Sequence, residues 1–125
     1  MKAILSIKPE YVNRILSGEK TYEFRRRIFK RQDVDTIVIY STLPQGAVVA
    51  EASVEEVIAD EPQRIWERTH EKGGISKKNF MSYFKGSKCA YAIRLGTINR
   101  FSAPLSVSEY SDTLSRPPQS FAYID

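Results

Sequence analysis

The segment of residues 17–31 constrains the fold most, because a helix stop is followed there at once by a run of β-forming residues. Before it, Val12 and Ile15 recur at the spacing of one helix face. Gly18 supplies the left-handed conformation in which helices often end. From Lys20 to Phe29 the residues are cations and β-formers. The sequence therefore predicts a short amphipathic helix ending at Gly18 and a strand over residues 20–29.

Alternation along this predicted strand separates an aromatic face from a charged one. Tyr22 and Phe24 share one side, and Glu23 and Arg25 share the other. If the two rings point toward the core, Glu23 and Arg25 line whatever lies on the opposite side. The sequence favours Arg25 as the arginine of a cleft.

The same segment carries five cations within seven positions, interleaved with Phe24 and Phe29: Arg25, Arg26, Arg27, Lys30 and Arg31. Guanidinium groups form forked contacts with phosphate, and aromatic rings stack on unpaired bases. This mixture is typical of a surface that binds RNA or a nucleotide-like ligand. The alternative is a solvated strand edge whose cations prevent aggregation.

Composition limits the other classes of function. The chain has 125 residues and a net charge of +4, and residues 1–31 alone have a balance of +6. We expect one domain over residues 1–125. With one cysteine, Cys89, and one histidine we expect no disulfide, no metal site and no cofactor. The N-terminus lacks the apolar core of a signal peptide and no long apolar run occurs, which favours the cytoplasm and argues against membrane association.

The remaining pattern predicts several strands and a helical insert. Strands are expected over residues 2–7, 35–41, 47–58, 88–95 and 101–107, helices after Pro62 and after Ser76, and an extended tail over 117–123. Strands separated by one pair of helices favour an α+β fold, a small mixed barrel with helices at its ends, over a doubly wound sheet.

Gly18, Lys20, Glu23 and Arg25 complete the pattern GxKxxExR. In this the chain resembles the ASCH domain family of the PUA-like superfamily, and its tail Pro117-Pro118-Gln119-Ser120-Phe121 is similar to that of small prokaryotic members. The resemblance implies a mixed β pseudobarrel of five to six strands with two to three short helices. It also implies a cleft that holds the motif residues, and RNA binding.

One branch of that family hydrolyses N4-acetylcytidine with a lysine, a threonine and a distant glutamate. Lys20 stands at the position of that lysine, but Glu23 stands at the position of the nucleophilic threonine. Glu71 is our candidate for the distant glutamate. The sequence therefore leaves open whether this chain is an enzyme.

Three functions follow from these patterns. The first is an RNA- or nucleotide-binding protein. The second is a hydrolase of a modified nucleoside or a ribonuclease, with Lys20 and Glu23 as candidate catalytic residues. The third is a regulatory module that contacts an unknown protein partner. The candidate ligand-binding residues are Gly18, Lys20, Glu23, Arg25, Arg26, Arg27, Lys30, Arg31, Tyr40 and Ser41, and Ser120, Phe121 and Tyr123 are candidates to close the barrel or cover the cleft.

Overall fold

A computed structural model describes residues 1–124 of the chain. The six strands are β1 Lys2–Ile7, β2 Tyr22–Arg25, β3 Thr36–Ser41, β4 Ala47–Asp60, β5 Ala90–Leu105 and β6 Phe121–Ile124. The four helices are α1 Pro9–Leu16, α2 Pro62–Thr69, α3 Lys77–Tyr83 and α4 Val107–Tyr110. A 3-10 turn, His70–Lys72, follows α2.

All six strands form one mixed sheet in the order β2-β5-β4-β3-β1-β6. β1 and β3 are parallel, and the other neighbours are antiparallel. The ladder between the long strands β4 and β5 contains three register shifts, which bend a sheet. The sheet curls so far that Arg25, at the end of β2, donates a hydrogen bond to the carbonyl of Ser120, just before β6. The result is a curled half-barrel whose two edge strands face each other.

Three apolar clusters hold the sheet and the helices together. The largest lies inside the curl, where α1 packs through Val12 and Ile15. A second lies under α4, against β1, β3 and β4. The third joins β2 and β5 to α2 and α3 through aromatic rings, among them Phe24 and Phe80 with ring centroids 5.0 Å apart. The face of β2 that carries Phe24 therefore packs against the helical insert.

The α+β pseudobarrel predicted from the sequence is confirmed, with three local differences. β2 ends at Arg25 rather than near Phe29, and residues 26–35 form an irregular segment. The two strands predicted near the C-terminus are one continuous strand, β5. The short helix α4 was not predicted, although Ser106 and Glu109 form the capping box that starts it. None of the helices described over residues 1–124 has the length and apolar character that a membrane span requires.

Candidate functional site

A cleft of about 1060 Å³ opens between α1, β2, α3 and the segment that precedes β6. Five cationic side chains and two carboxylates line it: Lys8, Lys20, Arg25, Arg26 and Arg27, with Glu10 and Glu23. Three aromatic rings, Tyr11 of α1, Phe24 of β2 and Tyr83 of α3, contribute to its walls. The cleft therefore combines net positive charge with ring surfaces.

Lys20 is buried in the wall of this cleft, with 3% of its surface exposed. Its Nζ donates a hydrogen bond of 2.6 Å to the carbonyl of Gly73. The amine lies 4.6 Å from the centre of the Phe24 ring and 5.3 Å from that of Tyr11. A lysine amine that is shielded from water between two rings loses most of its hydration.

Burial lowers the pKa of Lys20 to about 8, because desolvation penalises the charged amine. The negative charge of Glu23 opposes this shift, and the positive charge of Arg14 adds to it. At neutral pH about a tenth of the molecules then hold Lys20 as a neutral amine, which can accept a proton.

The Gly73-Gly74 pair fits closely around Lys20. Gly74 has a φ of +61°, and a Cβ atom there would collide with the Cβ of Lys20. Arg14 of α1 donates a hydrogen bond of 2.9 Å to the carbonyl of Gly74 and so holds the pair in place. Glycine is required here by the close approach of the lysine as well as by the backbone conformation.

Glu23 and Arg25 lie side by side on the opposite face of β2 from Phe24. Glu23 pairs across the ladder with Ile93, a member of the interior cluster, so this polar face points into the curl. The two side chains form an ion pair of 3.0 Å and are 6% and 9% exposed. A buried ion pair of this kind fixes the position of both groups.

Arg25 uses its guanidinium to connect three separate parts of the chain. Nη1 donates to Glu23 and to the carbonyl of Ser6 on β1 at 3.3 Å. Nη2 donates to the carbonyl of Ser120 at 2.9 Å and to its Oγ at 3.1 Å. Four protein acceptors therefore engage the guanidinium, which positions the cleft wall rather than offering a free fork to a phosphate.

The exposed cations of the cleft lie at its rim. Lys8 precedes α1, and Arg26 and Arg27 follow β2. The Arg26 guanidinium lies over the ring of Tyr83, 5.0 Å from its centre. These side chains remain accessible to an anionic ligand.

The structure brings together only part of the predicted set. Lys20, Glu23 and Arg25 converge on the cleft with Arg26 and Arg27, whereas Lys30 and Arg31 lie on a neighbouring groove. Three predicted residues lie elsewhere. Gly18 forms the exposed left-handed turn after α1, Tyr40 packs in the cluster under α4, and Ser41 is fully buried on β3.

Sequence reasoning missed the wall formed by α3. Asn79 and Tyr83 lie four residues apart on one face of that helix and both line the cleft. Their spacing was the available signal, but nothing local connects α3 with β2. Glu71, the candidate distant glutamate, lies exposed on the 3-10 turn and outside the cleft. In the described residues 1–124, no three His, Cys, Asp or Glu side chains cluster in a way that suits a metal ion.

Comparison with protein-family models matches residues 5–99 to the ASCH domain. The chain belongs to the ASCH domain family. Three of the four GxKxxExR residues that suggested the family, Lys20, Glu23 and Arg25, line this cleft, whereas Gly18 forms the turn that precedes them. The structure gives this ASCH domain a six-stranded sheet and four helices.

One curated relative and two solved structures are similar to this ASCH domain. It is 30% identical to the "ASCH domain-containing ribonuclease" of Zymomonas mobilis, over 98% of this chain and 84% of that protein. The crystal structure of ASCH from Zymomonas mobilis superposes with a TM-score of 0.88 at 30% identity, covering 99% of this chain and 87% of that one. The N-terminal domain of Staphylothermus marinus McrB matches with a TM-score of 0.59 at 11% identity over 98% and 87% of the two chains, a likeness of fold alone.

Proposed function

We propose that this ASCH domain binds single-stranded RNA in the cleft between α1, β2 and α3. The observation that carries the proposal is the set of three exposed cations, Lys8, Arg26 and Arg27, at the rim of the cleft. The walls of that cleft include the aromatic side chains of Tyr11 and Tyr83. Cations bind phosphate without regard to sequence, and rings stack on bases that are not paired. The Zymomonas mobilis relative is named a ribonuclease, which supports an RNA ligand.

The residues at the rim of the cleft and those in its wall have different proposed roles. Arg26 and Lys8 are placed to contact the phosphates, and a base can stack on the face of the Tyr83 ring that Arg26 does not cover. Arg25 and Glu23 keep the wall rigid, because protein acceptors already engage the Arg25 guanidinium. Lys20 lies innermost, behind the rim.

RNA binding is tested by fluorescence anisotropy with a labelled single-stranded RNA of about ten nucleotides, a length that a domain of this size can hold. We expect affinity to fall steeply with salt, and Lys8→Ala to reduce the salt slope by about 1. The matched control is Lys78→Ala, since Lys78 is an exposed lysine of α3 outside the cleft lining. Absence of binding by folded protein at low salt, or an equal effect of the control, would contradict the proposal.

A second candidate function is cleavage of the bound RNA with Lys20 as the base. It is favoured by the lowered pKa of Lys20, about 8, at the inner wall of the cleft. The neutral amine would take the proton from a ribose 2′-hydroxyl, and the 2′-oxygen would attack the adjacent phosphorus. The P–O bond to the next nucleotide breaks, and its 5′-oxygen leaves with the proton that Lys20 returns. The products are a 2′,3′-cyclic phosphate and a 5′-hydroxyl.

Cleavage is tested by mass spectrometry of the products from a defined RNA oligonucleotide. We expect cyclic phosphate ends, a rate that rises with pH up to about 8, and loss of cleavage in Lys20→Met. A substrate with 2′-deoxyribose at the cleaved position should resist. Cleavage that is undiminished in Lys20→Met would rule out this role for the lysine and leave RNA binding standing.

A further inference from the structure

We propose that a second groove beside the cleft binds an adjacent nucleotide of the same RNA strand, with aromatic rings for its base and exposed cations for its phosphate. This inference rests on the proposed RNA binding. We call this second site the aromatic groove, and its lining rings are Tyr91, Phe121 and Tyr123. It has a volume of about 730 Å³.

Charge in the aromatic groove has one sign among the described residues that line it. The cations are Arg26, Arg27, Lys30 and Arg31, and no carboxylate belongs to the lining. Arg31 is already paired with the nearby Asp33, through hydrogen bonds of 2.9 Å and 2.7 Å. Lys30 is exposed and therefore remains the main candidate for a phosphate contact.

Two of the three rings of the groove, Phe121 and Tyr123, are held in place by contacts within the protein. Phe121 packs edge-on against Phe29 and Tyr123, with centroids 6.1 Å and 5.7 Å away. The hydroxyl of Tyr123 accepts hydrogen bonds from the backbone N–H groups of Lys30 and Arg31, at 3.0 Å and 3.2 Å. The irregular segment is thereby fixed to β6, so stacking there costs little ordering entropy.

The aromatic groove is continuous with the cleft. Arg26 and Arg27 line both sites, so they form a ridge of positive charge between them. A strand whose phosphates cross this ridge can place one base in the cleft and another in the groove.

Single-stranded RNA fits the groove better than the other polyanions. A duplex hides the faces of its bases, so the rings would have no partner. An acidic peptide would satisfy the cations but leave the three rings unmatched. Half-buried rings beside exposed cations are a combination that suits unpaired nucleotides.

The test compares a nucleoside monophosphate, uridine monophosphate, with a short oligouridylate in isothermal titration against the whole chain. We expect Lys30→Ala and Tyr91→Leu to lower the affinity for the oligonucleotide by about fivefold or more, and by a larger factor than the affinity for the monophosphate, because only the oligonucleotide can occupy the cleft and the groove at once. Arg100→Ala, an exposed cation of β5 outside both sites, should change neither. Lys8→Ala should lower the affinity for both ligands, because Lys8 lines the cleft, and the cleft holds a nucleotide of either ligand.

A second measurement keeps the proposal open to test if Tyr91→Leu fails to fold. An oligonucleotide containing 4-thiouridine, cross-linked to the unchanged protein by light, should mark peptides that contain Tyr91, Phe121 or Tyr123. Cross-links confined to α1 and α3 would overturn the groove while leaving RNA binding in the cleft intact. Displacement of the RNA from the groove by polyglutamate at equal charge would also overturn it, in favour of an acidic peptide. Failure of the unchanged protein to bind either ligand would defeat the proposed function itself.

Discussion

The residues that enclose Lys20 determine the pKa of its amine. An exposed lysine in the same motif would be an ordinary cation, whereas this amine is shut between Phe24 and Tyr11 and donates to a glycine carbonyl. The cost of burying its charge exceeds the attraction of Glu23, which is why the pKa falls. Both the charged and the neutral form of the Lys20 amine are therefore populated near neutral pH, with the charged form in the majority.

This burial predicts how stability changes with pH. The pKa of Lys20 is 10.5 when the amine is in water, as in the unfolded chain, and about 8 in the folded protein. Between these pH values the unfolded chain therefore binds a proton that the folded chain does not. The stability of the protein relative to Lys20→Met should therefore rise from about pH 8 to about pH 10.5 and stay level below pH 8. The slope should approach about 1.4 kcal/mol per pH unit.

Urea unfolding at pH values on both sides of 8 measures this difference. The same substitution at an exposed site, Lys78→Met, serves as the control, and its curve should run parallel to that of the unchanged protein. Parallel curves for Lys20→Met as well would show that the amine is hydrated in solution and that burial does not lower its pKa.

At the scale of the elements, the differences between prediction and structure have two physical causes. The run of cations and β-formers after Arg25 suits a strand, but it has no neighbour to pair with there and stays irregular. β5 passes through Gly96 and Asn99, which usually interrupt strands, because register shifts against β4 absorb the bend. Partner strands far along the chain therefore determine where β2 ends and how long β5 is.

The end of β2 at Arg25 also separates the cleft from the aromatic groove. Because β2 stops at Arg25, Arg26 and Arg27 turn outward onto a ridge, and Lys30 and Arg31 lie against β6. A continuous strand would have sent alternate cations to opposite sides. The irregular segment instead places four cations on one surface, along the RNA path that we propose past α1, α3 and β6.

At the scale of the whole molecule, Arg25 closes the half-barrel where strand pairing does not. β2 and β6 are the two edges of the sheet, and the Arg25 guanidinium connects them by hydrogen bonds to Ser120 while also reaching Ser6 on β1. The closure therefore uses Arg25 and the carboxylate of Glu23 that orients it, together with the Tyr123 hydroxyl that holds the segment after β2 to β6.

We expect Arg25→Ala to destabilise the fold by about 3–5 kcal/mol, because it leaves the carboxylate of Glu23 buried without its partner. Arg25→Lys should not restore the loss, since an ammonium cannot bridge all of these acceptors. Guanidinium chloride unfolding measures the effect. Arg26→Ala, the neighbouring exposed arginine, is the matched control and should cost well under 1 kcal/mol. Equal costs for the two variants would show that the sheet closes without Arg25.

The sequence by itself determined what periodicity and short-range preference encode: the end of α1 at Gly18, the two faces of β2, the α+β class and the motif that indicates the family. Only the tertiary structure decided what those residues do. The pKa of Lys20 depends on Gly73 and Phe24, the acceptors of Arg25 come from both ends of the chain, and the rings of the aromatic groove come from β5 and β6. The reason is that burial and hydrogen bonding between distant segments are set by how the sheet curls, and no local pattern in the sequence records that curl.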